Sequence, residues 1–297
     1  MNPTVISVAR SIARLTPSST ARLWMLNAYF KMIRGKQTIA TRDGITYSLN
    51  LSEMIDACIQ VGAYECDVQQ AIGALCQPGT IALDIGANVG AHALPLGKIA
   101  GNGGAVYAFE PTSYAFAKLA ANIALNPTLN VGAFRVALSD KNQKDVEIDF
   151  RSSWRTDGSR ADGRCIVDFV KLDDWMVEHR VGGPISFIKI DVDGNEYPIF
   201  IGGRDTLLRD RPDIVMEAVG PHFDSDATNP ILWLWRHGWR FSALKSNKKY
   251  ESIDEIRCQL PVNDPGMTKS INLIARFERP KGTKTDRRGR ARPHATE

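Results

Sequence analysis

The sequence has few cysteines, and no zinc-like pattern occurs among them. Five cysteines occur in 297 residues, with no Cys-x-x-Cys pair and no Cys/His cluster at the spacing of a metal site. Scattered cysteines in odd number are typical of reduced thiols in an intracellular protein. We therefore expect neither a disulfide framework nor a structural zinc, and we expect a cytoplasmic protein.

Long apolar runs are also missing, and the two ends of the chain have few acids. No segment reaches the ~18–20 apolar residues that a membrane-spanning helix needs, and no compact apolar core with a cleavage site marks a secretory signal. Met1 to Arg42 holds seven Lys and Arg and no acid. Residues 1–37 are predicted to form a basic helical segment, either a lid over the rest of the chain or a peripheral contact with the inner face of the membrane. Residues 278–297 are predicted to be a basic, disordered tail.

The segment between the ends, residues 38–277, alternates between strand-like and helix-like patterns. Its apolar runs are continuous, as in parallel strands that are buried on both faces. We predict a single α/β domain with a Rossmann-like sheet and helices on both faces. The runs are Thr80–Asp84, Ala105–Glu110, Val131–Leu138, Ile185–Asp191 and Asp213–Glu217.

Two further segments complete this domain. A β-region with a turn at Asp43-Gly44 is followed by a helix for which Ser52 is a plausible cap. Residues 145–171 read as an irregular insertion with a strand at each end, and Trp154–Arg160 within it is a candidate substrate loop.

The first buried strand runs into Asp84-Ile-Gly86-Ala-Asn88-Val-Gly90. The glycines predict a sharp turn at which the backbone approaches a ligand closely. A nicotinamide fingerprint would have a glycine where Asn88 stands, and Asp84 would put a negative charge where a pyrophosphate sits. Asp84 instead favours a positive group such as the ammonium of a methionine moiety. A nicotinamide oxidoreductase is therefore disfavoured.

Glu110 ends the second strand, 26 residues after Asp84. A carboxylate at this position can accept hydrogen bonds from both hydroxyls of a ribose. An ammonium group and a ribose are the two ends of S-adenosylmethionine, so the two acids together predict that cofactor.

These motifs belong to a longer ordered set. Through it the chain resembles the FkbM family of methyltransferases, from about Asp43 to Arg276. The resemblance implies the seven-stranded sheet of class I methyltransferases, S-adenosyl-L-methionine as cofactor, and Tyr64 and Glu65 closing over its methionine end. Asp193 and Gly203 depart from the Glu and Ala that are common in the family. The blocks are Gly62–Glu65, Asp84–Gly90, Phe109–Pro111, Ala137–Asp140, Leu172–Asp174, Lys189–Glu196 and Glu217.

In an open α/β sheet, ligands bind and react at the carboxyl ends of the strands, here that of the fourth strand. Asp191 there is expected to face the sulfonium methyl or the acceptor, with Lys189 beside it and Glu217 on the same rim. One carboxylate could act as general base towards an acceptor hydroxyl; alternatively, Asp191 and Glu217 hold a divalent metal that acidifies it. His222 is a further candidate base, and His92 is interpreted as a structural polar residue.

The sequence thus predicts an S-adenosylmethionine-dependent O-methyltransferase acting on a sugar, glycan or natural-product hydroxyl. An RNA methyltransferase is the alternative suggested by the basic ends, but no Asn/Asp-Pro-Pro-aromatic block follows the fourth strand, and no basic stripe crosses the domain. A non-catalytic cofactor-binding protein also remains open. The predicted catalytic residues are Asp191, Lys189, Glu217 and His222. The predicted cofactor-binding residues are Tyr64, Glu65, Asp84, Gly86, Asn88, Gly90, Glu110, Pro111, Ala137 and Asp191.

Overall fold

A computed structural model describes residue 29 and residues 31–151, 155, 162–260 and 270–278. The strands are β1 (Gln37–Arg42), β2 (Ile45–Asn50), β3 (Ile81–Ile85), β4 (Ala105–Phe109), β5 (Val131–Phe134), β6 (Ala137–Leu138), β7 (Gln143–Arg151), β8 (Asp162–Val170), β9 (Ile185–Ile190), β10 (Asp213–Val219), β11 (Trp239–Ala243) and β12 (Ser270–Phe277). The α-helices are α1 (Met54–Val61), α2 (Cys66–Leu75), α3 (Ala93–Ala100), α4 (Ser113–Ala124), α5 (Leu172–Glu178), α6 (Glu196–Gly202), α7 (Arg204–Asp210), α8 (Pro230–Arg236) and α9 (Ile253–Arg257).

Three predictions fall almost wholly outside these residues. They concern the basic N-terminal segment 1–37, the tail 278–297 and the candidate substrate loop Trp154–Arg160, in which Arg155 is described. They stay predictions. In the part of the chain that the structure describes, no helix combines the length and the apolar character needed to cross a bilayer.

A seven-stranded sheet in the order β11-β12-β10-β9-β3-β4-β5 forms the centre of the fold. The strands from β10 to β5 are parallel to one another, and β12 runs antiparallel to β10 and β11. The predicted seven-stranded α/β architecture is confirmed. The continuous apolar pattern of β3 follows from burial on both faces: Leu83 packs on the side of α5 to α8, and Ala82 packs on the side of α2 to α4.

The predicted β-region before the sheet is a hairpin of β1 and β2. Its turn residues Asp43 and Gly44 both have positive φ, 47° and 78°, which matches the tight turns that hairpins favour. Asn122 of α4 and Asn126, just past its C-terminal end, accept hydrogen bonds from backbone N–H groups of β2 at 2.8 and 2.9 Å. These amides satisfy the outer edge of β2 and fasten the hairpin to the main domain.

Two local predictions are wrong. Residues 131–138 are not one strand, because the chain leaves the large sheet after Phe134, and Ala137 and Leu138 pair with β8 in a separate three-stranded sheet. Ser52 does not cap α1, whose N-cap is Glu53; the Ser52 hydroxyl accepts a hydrogen bond from the Gly35 N–H instead.

The insertion at residues 145–171 is more regular than its sequence indicates. Its two ends form the antiparallel pair β7 and β8, each nine residues long. Beyond the end of β7, Arg155 makes an isolated antiparallel bridge to Glu53, the residue before α1. The segment therefore extends from the three-stranded sheet to the start of α1.

Candidate active site

The site lies where neighbouring parallel strands end on one edge of the sheet. Asp84 on β3 pairs in register with Lys189 on β9 and with Ala108 on β4. Facing residues of paired parallel strands share one face of a sheet, so the side chains of Asp84 and Lys189 lie together. Phe109 pairs with the next residue of β3, which puts Glu110 directly beyond the same edge.

The second pair of predicted residues, Asp191 and Glu217, lies on the two strands next to the first pair. Met216 on β10 pairs with Ile190 on β9. Asp191 and Glu217 follow these two residues, so they stand at the same level, Asp191 just past the end of β9 and Glu217 within β10. The register alone thus brings together the acids that the sequence placed on separate strands.

The turn after β3 has the positive-φ backbone that its glycines predict. Gly86, Asn88 and Gly90 have φ of 81°, 48° and 88°. However, a Cβ on Gly86 would overlap the carbonyl oxygen of Asp191, and a Cβ on Gly90 would lie 2.9 Å from a methyl of Leu119. In the described structure these glycines make room for close packing within the protein, which is a different reason from the predicted approach to a ligand.

Replacing Gly86 by alanine is expected to destabilise the protein by about 3 kcal/mol, from left-handed strain and overpacking against backbone. Denaturant unfolding measures this change. Gly73→Ala is the matched control, because Gly73 lies in α2 with nothing within 4 Å of its added Cβ and alanine is the better helix former. Equal stability of Gly86→Ala and the wild type would contradict the packing described here.

Asp84 is fully buried, and neither of its carboxylate oxygens has a hydrogen-bond partner within the described residues. Burial raises the pKa of Asp84 above its usual value, and the nearby charge of Lys189 only partly opposes this. A buried carboxylate without donors is costly unless a cation or donor comes to it. Asp84 is therefore the residue whose environment most clearly calls for a ligand.

Lys189 is the cation at the centre of the acidic residues. Its Nζ lies 3.2 Å from Oδ2 of Asp191, and the residue is 5% exposed. Burial alone would lower the pKa of Lys189, but the charges of Asp191 and Asp84 outweigh it, so the pKa lies above its usual value. Lys189 therefore stays positive and holds the Asp191 carboxylate in place.

Glu110 is held at the end of β4 by three donors. Its Oε2 accepts from the Asn88 N–H at 3.0 Å, and its Oε1 accepts from the N–H and hydroxyl of Thr112 at 2.9 and 2.5 Å. Burial raises the pKa of Glu110, and the hydrogen bonds from Thr112 oppose the shift. Each carboxylate oxygen has more than one lone pair, so this fixed carboxylate can still accept from a ligand. Thr112 was not predicted as a site residue.

The remaining predicted cofactor residues near Glu110 stand on different elements. Pro111 follows Glu110 directly and is half-buried. Ala137 lies on β6, opposite Phe169 of β8, in the three-stranded sheet. Their roles stay predictions.

Asp191, Asp193 and Glu217 form a cluster of carboxylates. One oxygen from each lies within 4.8 Å of the others. Lys189 lowers the pKa of Asp191, whereas burial and the neighbouring Asp191 charge raise the pKa of Glu217 to about 7. Crowded carboxylates behave in this way when one stays ionised and the other takes up a proton. Glu217 is thus suited to exchange a proton near neutral pH.

The same cluster bears on the choice between the two predicted mechanisms. Three carboxylate oxygens at this spacing are a geometry that a divalent ion can use. The ammonium of Lys189 already donates to Asp191 at 3.2 Å, so it neutralises part of the charge that a divalent ion would need. The arrangement therefore favours the metal-free mechanism.

His222 has a different environment from the one that the sequence predicts. Its Nδ1 accepts from the Val219 N–H at 3.3 Å, and its Nε2 lies 2.6 Å from Oε2 of Glu196. His222 and Glu196 are both buried. With Nδ1 accepting, Nε2 carries the proton and donates it to Glu196, so no ring nitrogen is left to receive a proton from an acceptor. This geometry corrects the prediction of His222 as a base.

Tyr64 and Glu65 lie close to the strand ends. Glu65 has left-handed backbone, with φ of 36°, at the start of α2, and its Oε2 lies 2.7 Å from Nε2 of His92. The charges of Lys189 and Asp191 act on Glu65. His92, interpreted from the sequence as a structural residue, is therefore directly bonded to a candidate site residue; its position two residues after Gly90 was the signal that could have indicated this.

Comparison with known proteins gives a family for this arrangement. The model of the methyltransferase FkbM domain matches residues 84–242, more than half of the chain. The chain belongs to the FkbM methyltransferase family. The resemblance seen in the sequence motifs is confirmed, and the matched segment begins at Asp84 itself.

Among individual proteins, the chain is similar to 2-O-methyltransferase NoeI of Sinorhizobium fredii. The two are 30% identical over 165 residues, which cover 48% of this chain and 65% of NoeI. The match thus spans less than two thirds of that relative.

Two solved structures are similar to this chain. One is the methyltransferase FkbM of Methylobacillus flagellatus, with a TM-score of 0.42, 11% identity, and coverage of 92% of this chain and 58% of that one. The other is M. jannaschii TYW2 in complex with AdoMet, with a TM-score of 0.43, 14% identity, and coverage of 83% and 88%.

Proposed function

We propose that this FkbM-family chain is an S-adenosylmethionine-dependent O-methyltransferase whose acceptor is a hydroxyl of a sugar, a glycan or a related small molecule. The observation that carries the proposal is the buried, unpartnered carboxylate of Asp84 at one strand end, with the fixed carboxylate of Glu110 at the next. This donor and charge pattern suits a ligand with a cationic end and a ribose.

The residues present fit S-adenosylmethionine. Asp84 would hold the ammonium of the methionine moiety, for which its two oxygens have acceptor positions to spare. Glu110, which has one acceptor position left on Oε2, would accept from a ribose hydroxyl. When bound, the cofactor supplies the activated methyl group. The acids around Lys189 give this end of the site a negative field, which favours a ligand with an ammonium and a sulfonium.

The chain's own residues can handle the proton of a hydroxyl acceptor. Glu217 has its pKa raised to about 7 by burial and by Asp191, so its carboxylate can remove a proton near neutral pH. Lys189 keeps Asp191 ionised and in position. An acceptor hydroxyl placed between these two carboxylates would lose its proton to Glu217 as its oxygen becomes the nucleophile.

The similarity to a protein named as a 2-O-methyltransferase supports a hydroxyl acceptor. The general-base arrangement of Glu217 also suits a hydroxyl, since an alcohol must lose a proton when it is methylated. We therefore favour O-methylation over transfer to nitrogen or to nucleic acid.

Methyl transfer from labelled S-adenosylmethionine to a panel of mono- and oligosaccharides, with total RNA in parallel, tests the proposal. We expect the label to enter carbohydrate as a methyl ether, which is stable to base. The rate of labelling should not change when a chelator is added. S-adenosylhomocysteine binding by calorimetry is the accompanying measurement. Label confined to RNA would contradict the acceptor class, and absence of cofactor binding would contradict the proposal as a whole.

A further inference from the structure

A network of hydrogen bonds beside the candidate active site links α2 to the start of α3. The Gln69 Nε2 lies 2.8 Å from the Ala91 carbonyl oxygen and 3.1 Å from Nδ1 of His92, and Nε2 of His92 lies 2.7 Å from Oε2 of Glu65. His92 is buried, and its ring lies against that of Tyr64, with centroids 5.4 Å apart. The function proposed above gives this hydrogen-bond network no role.

One backbone carbonyl determines which atom donates in each hydrogen bond of this network. The Ala91 oxygen can only accept, so the atom of Gln69 that faces it is the amide nitrogen. The same nitrogen donates to Nδ1 of His92. Nδ1 is then an acceptor, so the proton of a neutral ring is on Nε2 and points at Glu65.

Glu65 itself stands in an unusual backbone conformation. Its φ of 36° is left-handed, a region that costs a non-glycine residue energy unless its surroundings hold it there. Its carboxylate is near Lys189 and adds to the negative charge acting on Asp84. The hydrogen bond from His92 therefore holds the Glu65 carboxylate in its position near Lys189 and Asp84.

We propose that His92, oriented by Gln69, is a positioning residue that fixes the Glu65 carboxylate so that Glu65 and Asp84 together receive the ammonium of the cofactor's methionine. The inference rests on the function proposed above. In this assignment, His92 contributes to cofactor affinity, and the chemical step depends on Asp191 and Glu217.

Steady-state kinetics of His92→Leu and His92→Gln test this assignment. We expect His92→Leu to raise the KM for S-adenosylmethionine about tenfold, as for a lost hydrogen bond to a charged group, with kcat changed less than about twofold. His92→Gln can still donate towards Glu65 and should recover part of the loss. His237→Leu is the matched control, because His237 is a half-buried histidine that bonds the Trp233 carbonyl instead.

A double-mutant cycle separates positioning from general structural damage. Once Glu65→Ala has removed the carboxylate, His92→Leu should cause no further change in cofactor KM. If His92→Leu does not fold, Gln69→Leu replaces it with a smaller expected rise, about threefold. Additive losses in the cycle, or an unchanged cofactor KM with a reduced kcat, would overturn the inference. Failure of the wild type to bind S-adenosylhomocysteine would instead overturn the underlying function.

Discussion

Asp84→Asn is expected to lose S-adenosylhomocysteine binding by about 100-fold or more and, at the same time, to make the ligand-free protein more stable. The loss follows from removing one partner of a buried charge pair, which costs about 2–5 kcal/mol. The gain follows from removing a buried carboxylate whose oxygens have no hydrogen-bond partner among the described residues, a penalty of about 1–3 kcal/mol. A side chain kept at a cost to stability is one that serves a ligand.

Calorimetry and thermal unfolding measure the two effects. A gain of 1 kcal/mol corresponds to a rise in Tm of about 2–4 °C for a chain of this size. Asp205→Asn is the control, because that side chain is 83% exposed on α7, and it should change neither property. Unchanged affinity in Asp84→Asn would remove the electrostatic basis of the proposed function.

The stability gain should also depend on pH in one direction. Burial raises the pKa of Asp84 in the folded state, so the ionised form is the one that folding penalises. The penalty is complete above the folded pKa and disappears below the ordinary aspartate pKa of about 3.9. The difference in stability between the wild type and Asp84→Asn should therefore narrow as the pH falls towards 4.

The parts of this site that the sequence predicts are those fixed by strand order. Asp84, Glu110, Asp191 and Glu217 each end a continuous apolar run, and parallel strands bring their carboxyl ends to one edge. In the structure, the register of β3, β4, β9 and β10 brings these strand ends to the same level. This is why the fold and the acids of the site could be predicted from one sequence.

The parts that could not be predicted depend on contacts between distant segments. The local sequence suggests that His222 is available as a base, but its Nε2 is hydrogen-bonded to Glu196 of α6. The bond between His92 and Glu65 joins residues 27 positions apart, through the packing of α2 on α3. Likewise, the need for Gly86 arises from the backbone of Asp191, which no local pattern indicates.

The rate of methyl transfer should depend on the protonation of Glu217. Because the carboxylate must be free to accept a proton, kcat/KM is expected to fall as the pH drops below about 7, the pKa that burial and Asp191 give to Glu217. Glu217→Gln should be 10²- to 10⁴-fold slower and should lose this inflection. Its affinity for S-adenosylhomocysteine should stay close to that of the wild type, since Asp84 and Glu110 remain.

Asp191→Asn tests whether the pH dependence of kcat/KM reflects the interaction between Glu217 and Asp191 or the titration of Glu217 alone. Removing the like charge of Asp191 takes away the second largest cause of the raised pKa, so the inflection should move to lower pH even though the rate also falls. Asp193→Asn is the matched comparison, because Asp193 is exposed and acts on Glu217 more weakly, and its inflection should move less. If the inflection in Asp191→Asn stays at the same pH, the charge of Asp191 does not raise the pKa of the group that accepts the proton. The proton would then have to be accepted by a group other than this pair.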